Sequence, residues 1–565
     1  VRRLAGSLLL ATLAGILIPT VAFADGVERW RASALPDGGD ANGHSSYYEA
    51  PALVSSGSGP VPVFSSYASN LVPGDTNRYS DIFAVIDGET VLLTKDYLSD
   101  QPADGPSWEP VAAPSGDRFV FASAAANLVQ GDLDQTFLTG MVGGEVGPGT
   151  TSLHEATDIF VGDLTGAFTK VTVGLNGLPA DDASSDPSIG GPNGTVVAFA
   201  SKASNLVEGD TNQGDPYFEH TDVFVRDLES GVTERISVGP GGAQANNSSV
   251  DTAVSASGRF VAYASMAKNL VDDDVNGYAP DVFLRDLVTD TTTLVSTTST
   301  GQQIDRGSLS PSINADGTLV VFESLGQLVT EDTDDRRDIY LKDLTSGAAQ
   351  LVSTEVEGDA CNPKLDPGGT VVTFVVTQDD GYFYDCSDYG DGQVYARFLD
   401  LAAPELLSTS SSGAPAAGIS GFPALSADAS QVAFASNAPD LVDGDRAGMW
   451  DVFVQDLLRP AMNSAPTAAI SLTPTSVQGA APVRVEAAIV DLDGVSDIVS
   501  GGISVVDAKG RTVATWRLTD FVGEETTLTL VRDLRLSGSG PWTATISAVD
   551  AAGAGATASA QASRK

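Results

Sequence analysis

A short motif returns seven times along this chain, and that return limits the possible folds more than any other feature. Asp, then Ile or Val, then Phe or Tyr begins at Asp81, Asp158, Asp222, Asp281, Asp338 and Asp451, with a degenerate copy at Gln393-Val394-Tyr395. The mean step is about 62 residues. A second apolar stretch recurs in parallel and carries Phe64, Phe121, Phe199, Tyr263, Phe322, Phe374 and Phe434. One full unit contains Asp186-Pro187-Ser188-Ile189, Val196-Val197-Ala198-Phe199-Ala200-Ser201, Asp222-Val223-Phe224-Val225 and Glu234-Arg235-Ile236. Short runs rich in Val, Ile and Phe, bounded by turn residues, are strands, so each unit holds four.

Seven units of four antiparallel strands predict a β-propeller, which manages its edges by radial repetition; a linear solenoid is the alternative. The seventh unit runs from Phe422 through Asp451-Val452-Phe453 into Leu458-Arg459-Pro460 without a fourth strand. Val27-Glu28-Arg29-Trp30 mirrors Thr233-Glu234-Arg235-Ile236, so an N-terminal strand is expected to complete the last blade and close the ring. The units resemble TolB-type, WD-repeat-like blades. The motifs that carry the resemblance are Pro311-Ser312-Ile313-Asn314-Ala315-Asp316-Gly317, Val197-Ala198-Phe199-Ala200-Ser201, Asn205-Leu206-Val207-Glu208-Gly209-Asp210 and Asp222-Val223-Phe224-Val225-Arg226-Asp227-Leu228. The resemblance spans about residues 27–459 and implies the fold. The chain departs from TolB itself in having seven units rather than six and no α/β domain before them, so TolB's role is not carried over.

Residues 1–24 read as a secretory signal: Arg2 and Arg3, an apolar run from Leu4 to Ile18, then Ala22-Phe23-Ala24 before an expected cleavage at Asp25. The propeller is expected over 25–460 and a linker over 461–465. From 466 to 565, alternating runs such as Val483-Arg484-Val485-Glu486-Ala487 and Trp542-Thr543-Ala544-Thr545-Ile546 predict a β-sandwich. This segment resembles the immunoglobulin-like modules appended to exported bacterial proteins, which implies a spacer or adhesion role. Acidic residues outnumber basic ones 74 to 30, for a net charge of −44. That balance argues against nucleic acid or anionic membrane as partners. No further hydrophobic span is present, and a secreted, extracytoplasmic monomer is expected.

Signatures of catalysis are sparse. His44, His154 and His220 form no metal-binding pair, and neither a G-x-S-x-G elbow nor a phosphate loop occurs. The loops before the third strand are richer in ligand atoms. Asp75, Asn77 and Asp81, Asp210 and Asn212, Asp274, Asn276 and Asp281, and Asp332, Asp334 and Asp338 offer the hard oxygens that calcium takes. The same residues also suit Asx turns and a strand-leading hydrogen-bond hub. Cys361 and Cys386 flank the first two strands of the sixth unit, the unit that lacks the N-L-V-x-G-D loop. With export this predicts a disulfide between them. Aromatics gather in the loops of one face: Tyr79, Phe137, Tyr217, Phe218, Tyr278, Tyr384, Tyr389 and Trp450.

The expected function is therefore that of an exported, non-catalytic binding or scaffold protein, which takes a protein or carbohydrate partner on its loop face and needs no cofactor beyond the calcium considered above. The alternative is a secreted propeller hydrolase or lyase acting on peptides or glycans. A central channel lined by apolar and small residues favours binding, and converging His, Arg, Glu or Tyr groups favour the enzyme.

Overall fold

The computed structural model describes residues 21–22, 28–132, 157–211, 221–272, 274–378, 391–445, 448–457, 467–474, 483–490, 498–517, 522–524, 527–535, 541–550 and 555–563. The chain divides into two compact units, Val1–Leu458 and Arg459–Lys565. Among the described residues both are built from antiparallel strands with no α-helix, and no helix is long and apolar enough to cross a membrane.

Among the described residues the first unit contains seven sheets; in six the four strands follow one another in sequence, and the seventh joins Ser420–Leu425, Gln431–Ser436 and Asp451–Asp456 to strands of the N-terminus. The third sheet shows the plan: Ser184–Gly190, Val196–Ser201, Asp222–Asp227 and Thr233–Arg235. The recurring aromatics of the second and third strands fall opposite each other in every sheet. Phe64 meets Phe83, Phe121 meets Phe160, Phe199 meets Phe224, Tyr263 meets Phe283, Phe322 meets Tyr340, Phe374 meets Tyr395 and Phe434 meets Phe453. Their ring centroids lie 5.7 to 6.3 Å apart. Such pairs add about 1 kcal/mol each beyond their buried area.

The hydrophobic core is divided into clusters that each span two successive sheets. One joins Val197 and Phe199 of the third sheet to Val120 and Ile159 of the second. Another joins Ala433, Val452 and Val454 of the seventh sheet to Leu53, Phe64 and Phe83 of the first. The first strands also touch in succession, and that of the seventh sheet touches that of the first.

At the N-terminus, Glu28–Arg31 lies antiparallel to Asp451–Asp456, with Arg29 opposite Gln455, Trp30 opposite Val454 and Arg31 opposite Phe453. Arg29 is 1 % exposed. Its guanidinium donates to Gln455 Oε1 at 2.7 Å, to Leu407 O at 2.6 Å and to Thr409 O. Cations on the third strand do the equivalent work in earlier sheets: Lys342 Nζ donates to Thr297 O and Arg397 Nη1 to Val352 O. The seventh sheet has Gln455 at that position, and the charge comes instead from the neighbouring N-terminal strand.

In the second unit, two four-stranded sheets share one core. Val485, Ile489 and Leu530 of one sheet pack with Ile503, Trp542 and Ile546 of the other.

Arg29→Ala takes the donor from Thr409 O and Gln455 Oε1 and one of two donors from Leu407 O, which keeps the Thr409 N–H, in a buried site. The expected cost is about 3 kcal/mol, read as a lower urea midpoint with an unchanged slope. A midpoint equal to wild type would show that the N-terminal strand is no part of the cooperative unit.

Candidate functional site

The strand-leading aspartates are hydrogen-bond hubs, and the same geometry recurs in every sheet. A hydroxyl from just beyond the fourth strand donates to the carboxylate: Thr94 to Asp81, Thr172 to Asp158, Ser237 to Asp222, Ser296 to Asp281 and Ser353 to Asp338. In the degenerate sixth sheet Ser408 donates to Gln393 Oε1, and in the seventh Ser33 donates to Asp451. Each hydroxyl also accepts the next backbone N–H of the third strand, at 3.0 to 3.2 Å.

In five of the sheets the second carboxylate oxygen meets a cation or an amide, and this bears on the calcium candidates. Lys170 Nζ bridges Asp132 at 2.9 Å and Asp158 at 2.6 Å. Arg235 Nη1 lies 3.2 Å from Asp210 and 3.6 Å from Asp222, with Gln244 Nε2 donating to both. Arg31 Nη1 pairs with Asp445 at 2.6 Å and lies 3.7 Å from Asp451. Where the fourth strand carries Leu instead, amides take over. Asn77 donates to Asp81 at 2.7 Å, and Asn276 and Gln303 donate to Asp281 at 2.8 and 2.7 Å, Gln303 also reaching Asp274.

In these loops the carboxylate oxygens of Asp81, Asp210, Asp274 and Asp281 therefore face donors of the chain itself, whereas Asn276 Oδ1 is buried and accepts no hydrogen bond; Asn212 lies outside the described residues. The fifth sheet differs. Asp332, Asp334 and Asp338 bring carboxylate oxygens within 4.8 Å of one another, the one such cluster among the described residues. Tyr340 and the Asp334 N–H donate to Asp332.

A second group of carboxylates lies where the first strands meet, and the motif analysis did not single it out. In sheets two to seven the first strand carries a register shift. At each shift one residue adopts a left-handed backbone: Glu109, Asp186, Asp251, Ser310, Asn362 and Phe422, with φ from 48° to 55°. Five of the six precede proline, whose missing N–H leaves nothing unpaired at the bulge.

The acidic members cap one another's backbone in turn. The Glu109 N–H donates to Glu49 Oε2 at 2.6 Å. The Asp186 N–H donates to Glu109, that of Asp251 to Asp186, and that of Ser310 to Asp251 Oδ2 at 3.0 Å. On the far side the Asn362 N–H donates to Glu323 Oε2 at 2.8 Å, and Glu323 pairs with Arg337 at 3.1 Å.

Glu109, Asp186, Asp251 and Lys364 line a cavity of about 200 Å³. It shares Pro110, Pro187, Pro311 and Lys364 with a neighbouring cavity of about 210 Å³. That second space is walled by one apolar residue from each sheet: Leu53, Val111, Ile189, Val254, Ile313, Leu365 and Leu425. Burial, and then the neighbouring carboxylates, push Glu109 up to about 8 and Asp186 up to about 6. Burial lowers Lys364, against the pull of Asp251 and Glu323.

The aromatic loop face is only partly visible. Phe137, Tyr217, Phe218, Tyr384 and Tyr389 lie outside the described residues. Tyr278 is 69 % exposed, with Lys268 Nζ 3.5 Å above its ring, and Tyr79 is half-buried. Trp450 requires a correction. It is 3 % exposed because it packs on Tyr47, Tyr48 and Phe422, and its own N–H donates to His44 Nδ1 at 3.0 Å. His44 is thereby used structurally, stacked on Tyr47, while His154 and His220 lie outside the described residues. Cys361 is buried and disulfide-bonded, and Cys386 lies outside the described residues.

Burial holds the hub aspartates well above the usual carboxylate value near 4: Asp222 and Asp281 at about 6, and Asp81, Asp338 and Asp451 at about 7. A raised acid binds its proton more tightly folded than unfolded, so its stabilisation is complete below pH 4 and is lost as pH rises through 6 to 7. The melting temperature at pH 5.5 is expected to exceed that at pH 8.0. The difference should persist in 0.5 M salt, which screens surface repulsion but not buried groups. A slope that vanishes in salt would assign it to the surface charge alone.

No known protein family and no curated protein matches the chain. Among solved structures, the chain is similar to an oligogalacturonate lyase in complex with manganese at 12 % identity and a TM-score of 0.47, covering 78 % of this chain and 96 % of that one. It is similar to an oligogalacturonate lyase from Vibrio parahaemolyticus at 12 % identity and a TM-score of 0.44, with coverage of 78 % and 96 %. It is also similar to TolB from Acinetobacter baumannii at 14 % identity and a TM-score of 0.33, covering 64 % and 81 %.

Proposed function

We propose that the first unit is a seven-bladed propeller closed by the N-terminal strand, and that the protein is an exported, non-catalytic binding protein. In this reading residues 1–24 direct export, Cys361 pairs with Cys386, and the second unit is an immunoglobulin-like spacer. The ligand, a protein or carbohydrate group, enters where the first strands meet. One observation carries this reading: six equivalent positions share a backbone conformation, and the five of them that line that cavity bear Glu, Asp, Asp, Ser and Asn. A constant scaffold with varied side chains pointing to one place suits recognition.

Ser310→Phe tests it, because Phe422 already shows that the position accepts a phenyl ring. Peptide and oligosaccharide libraries are incubated with the full chain and read by mass. Retained, unaltered ligands that the variant loses at least tenfold, with its melting temperature kept, are expected. The appearance of cleaved products overturns the binding reading in favour of a hydrolase or lyase.

We infer a calcium site for Asp332, Asp334 and Asp338 alone, where among the described residues no Lys, Arg or amide side chain donates to the clustered carboxylates in the way that it does in the other candidate loops. Millimolar calcium is expected to raise the melting temperature by a few degrees, and Asp334→Asn to remove the rise. An equal melting curve in chelator discards calcium.

A further inference from the structure

We propose that the cavity between the first strands receives a primary alkylammonium group, its head held by Glu109, Asp186 and Asp251 and its unbranched stem lodged in the adjoining apolar space. This rests on the reading of that cavity as the ligand site.

The electrostatics ask for a cation. In three other sheets of the first unit a buried acid pair is matched by a cation of the chain, Lys170, Arg235 or Arg31, and in two more by Asn or Gln amides. Around the cavity, Glu49, Glu109, Asp186 and Asp251 follow one another, and the charges that act on the first three are those of other carboxylates. Lys364 faces Asp251 and Glu323, and Glu323 already has Arg337. That leaves Glu109 and Asp186 without a counter-charge. Glu109 Oε2 is buried and accepts no hydrogen bond. A buried carboxylate oxygen left this way costs free energy that a donor from a ligand recovers.

The dimensions select the kind of cation. A bare metal needs its ligand atoms close together, as in Asp332, Asp334 and Asp338, and the carboxylates of the cavity do not gather within that 4.8 Å limit. An ammonium group spreads three N–H donors toward three separate acceptors. The polar space is about 200 Å³, room for a head group, and it continues past Pro110, Pro187 and Pro311 into walls of Ile189, Ile313, Leu365 and Leu425. A narrow apolar extension beside an acidic pocket suits a chain of methylenes rather than a compact polar ion. Such a group is found on free alkylamines and on the lysine side chain of a protein partner.

Titration calorimetry of the full chain distinguishes the outcomes. The probes are butyl-, pentyl- and hexylamine, a single-lysine peptide with blocked ends, and calcium chloride. Affinity is expected to rise about fourfold per added methylene. It should fall at least tenfold in Glu109→Gln and in Asp186→Asn, either of which serves if the other fails to fold. Binding at pH 7 should release a proton, seen by comparing buffers of different ionisation enthalpy, because Glu109 must ionise beside Glu49, Asp186 and Asp251. Glu109→Gln should abolish that release.

Tighter binding of the peptide than of pentylamine identifies a protein lysine as the source, and the reverse identifies a small amine; both support the proposal. Binding of calcium alone, amine binding indifferent to both substitutions, or no amine or peptide binding by folded protein overturns it. If Ser310→Phe still loses library ligands in that last case, only the head-group assignment falls and the cavity remains the ligand site.

Discussion

Seven hydroxyls hold the first unit together. Each sits where the chain leaves the fourth strand, donates to the acid that opens the third (to Gln393 in the sixth sheet), and takes the following backbone N–H in return. The contact fastens the start of an inner strand to the exit of the outer one. It does so with a charge-assisted bond in a place shielded from water, where such bonds are worth about 2 kcal/mol each. Ser33 is the telling case. It lies more than four hundred residues from Asp451, yet it makes the same two bonds that a local serine makes in the third sheet. The N-terminal segment is thus held by the interaction that defines every other sheet, with Arg29 and Arg31 added to it.

Around those hubs the protein solves one electrostatic problem in several ways. A second buried acid near the first is costly unless a positive or donating group stands between them. The fourth strand supplies Lys170, Arg235 and Arg31 where it can, and Asn or Gln side chains serve where it carries Leu. The fifth sheet has neither solution and instead turns Tyr340 toward Asp332. The cavity between the first strands is the other place where acids accumulate, and there backbone N–H groups are the principal donors.

Much of the strand pattern could be read from the chain because it depends on residues repeated at matching places: the aromatic of the second strand, the Asp-Ile/Val-Phe of the third, the hydroxyl after the fourth. The unpaired last unit and its mirror in Val27-Glu28-Arg29-Trp30 could be read the same way. The cavity was harder to see, since its residues have no common identity. Glu109, Asp186, Asp251, Ser310, Asn362 and Phe422 share only a backbone conformation and, in most cases, a following proline. That proline was the available signal. The donors that face some of the calcium candidates are equally hidden from loop spacing, because they lie on the fourth strand or beyond it, tens of residues away, as Arg235 does from Asp210 and Gln303 from Asp274. Trp450 misled because loop position says nothing about what Tyr47 and Tyr48 do across the sheet boundary.

The left-handed bulge of the first strand has an evolutionary consequence. Its backbone places side chains of five successive repeats at one cavity, while the strand pairing behind them is made by other residues. Exchanging one of those amino acids changes the chemistry of the cavity and, at the acidic positions, one backbone cap of the neighbouring repeat, and leaves the strand ladders intact. A lineage built on such repeats can change the character of that cavity through isolated point changes, so that its chemistry drifts while the strand pairing stays still.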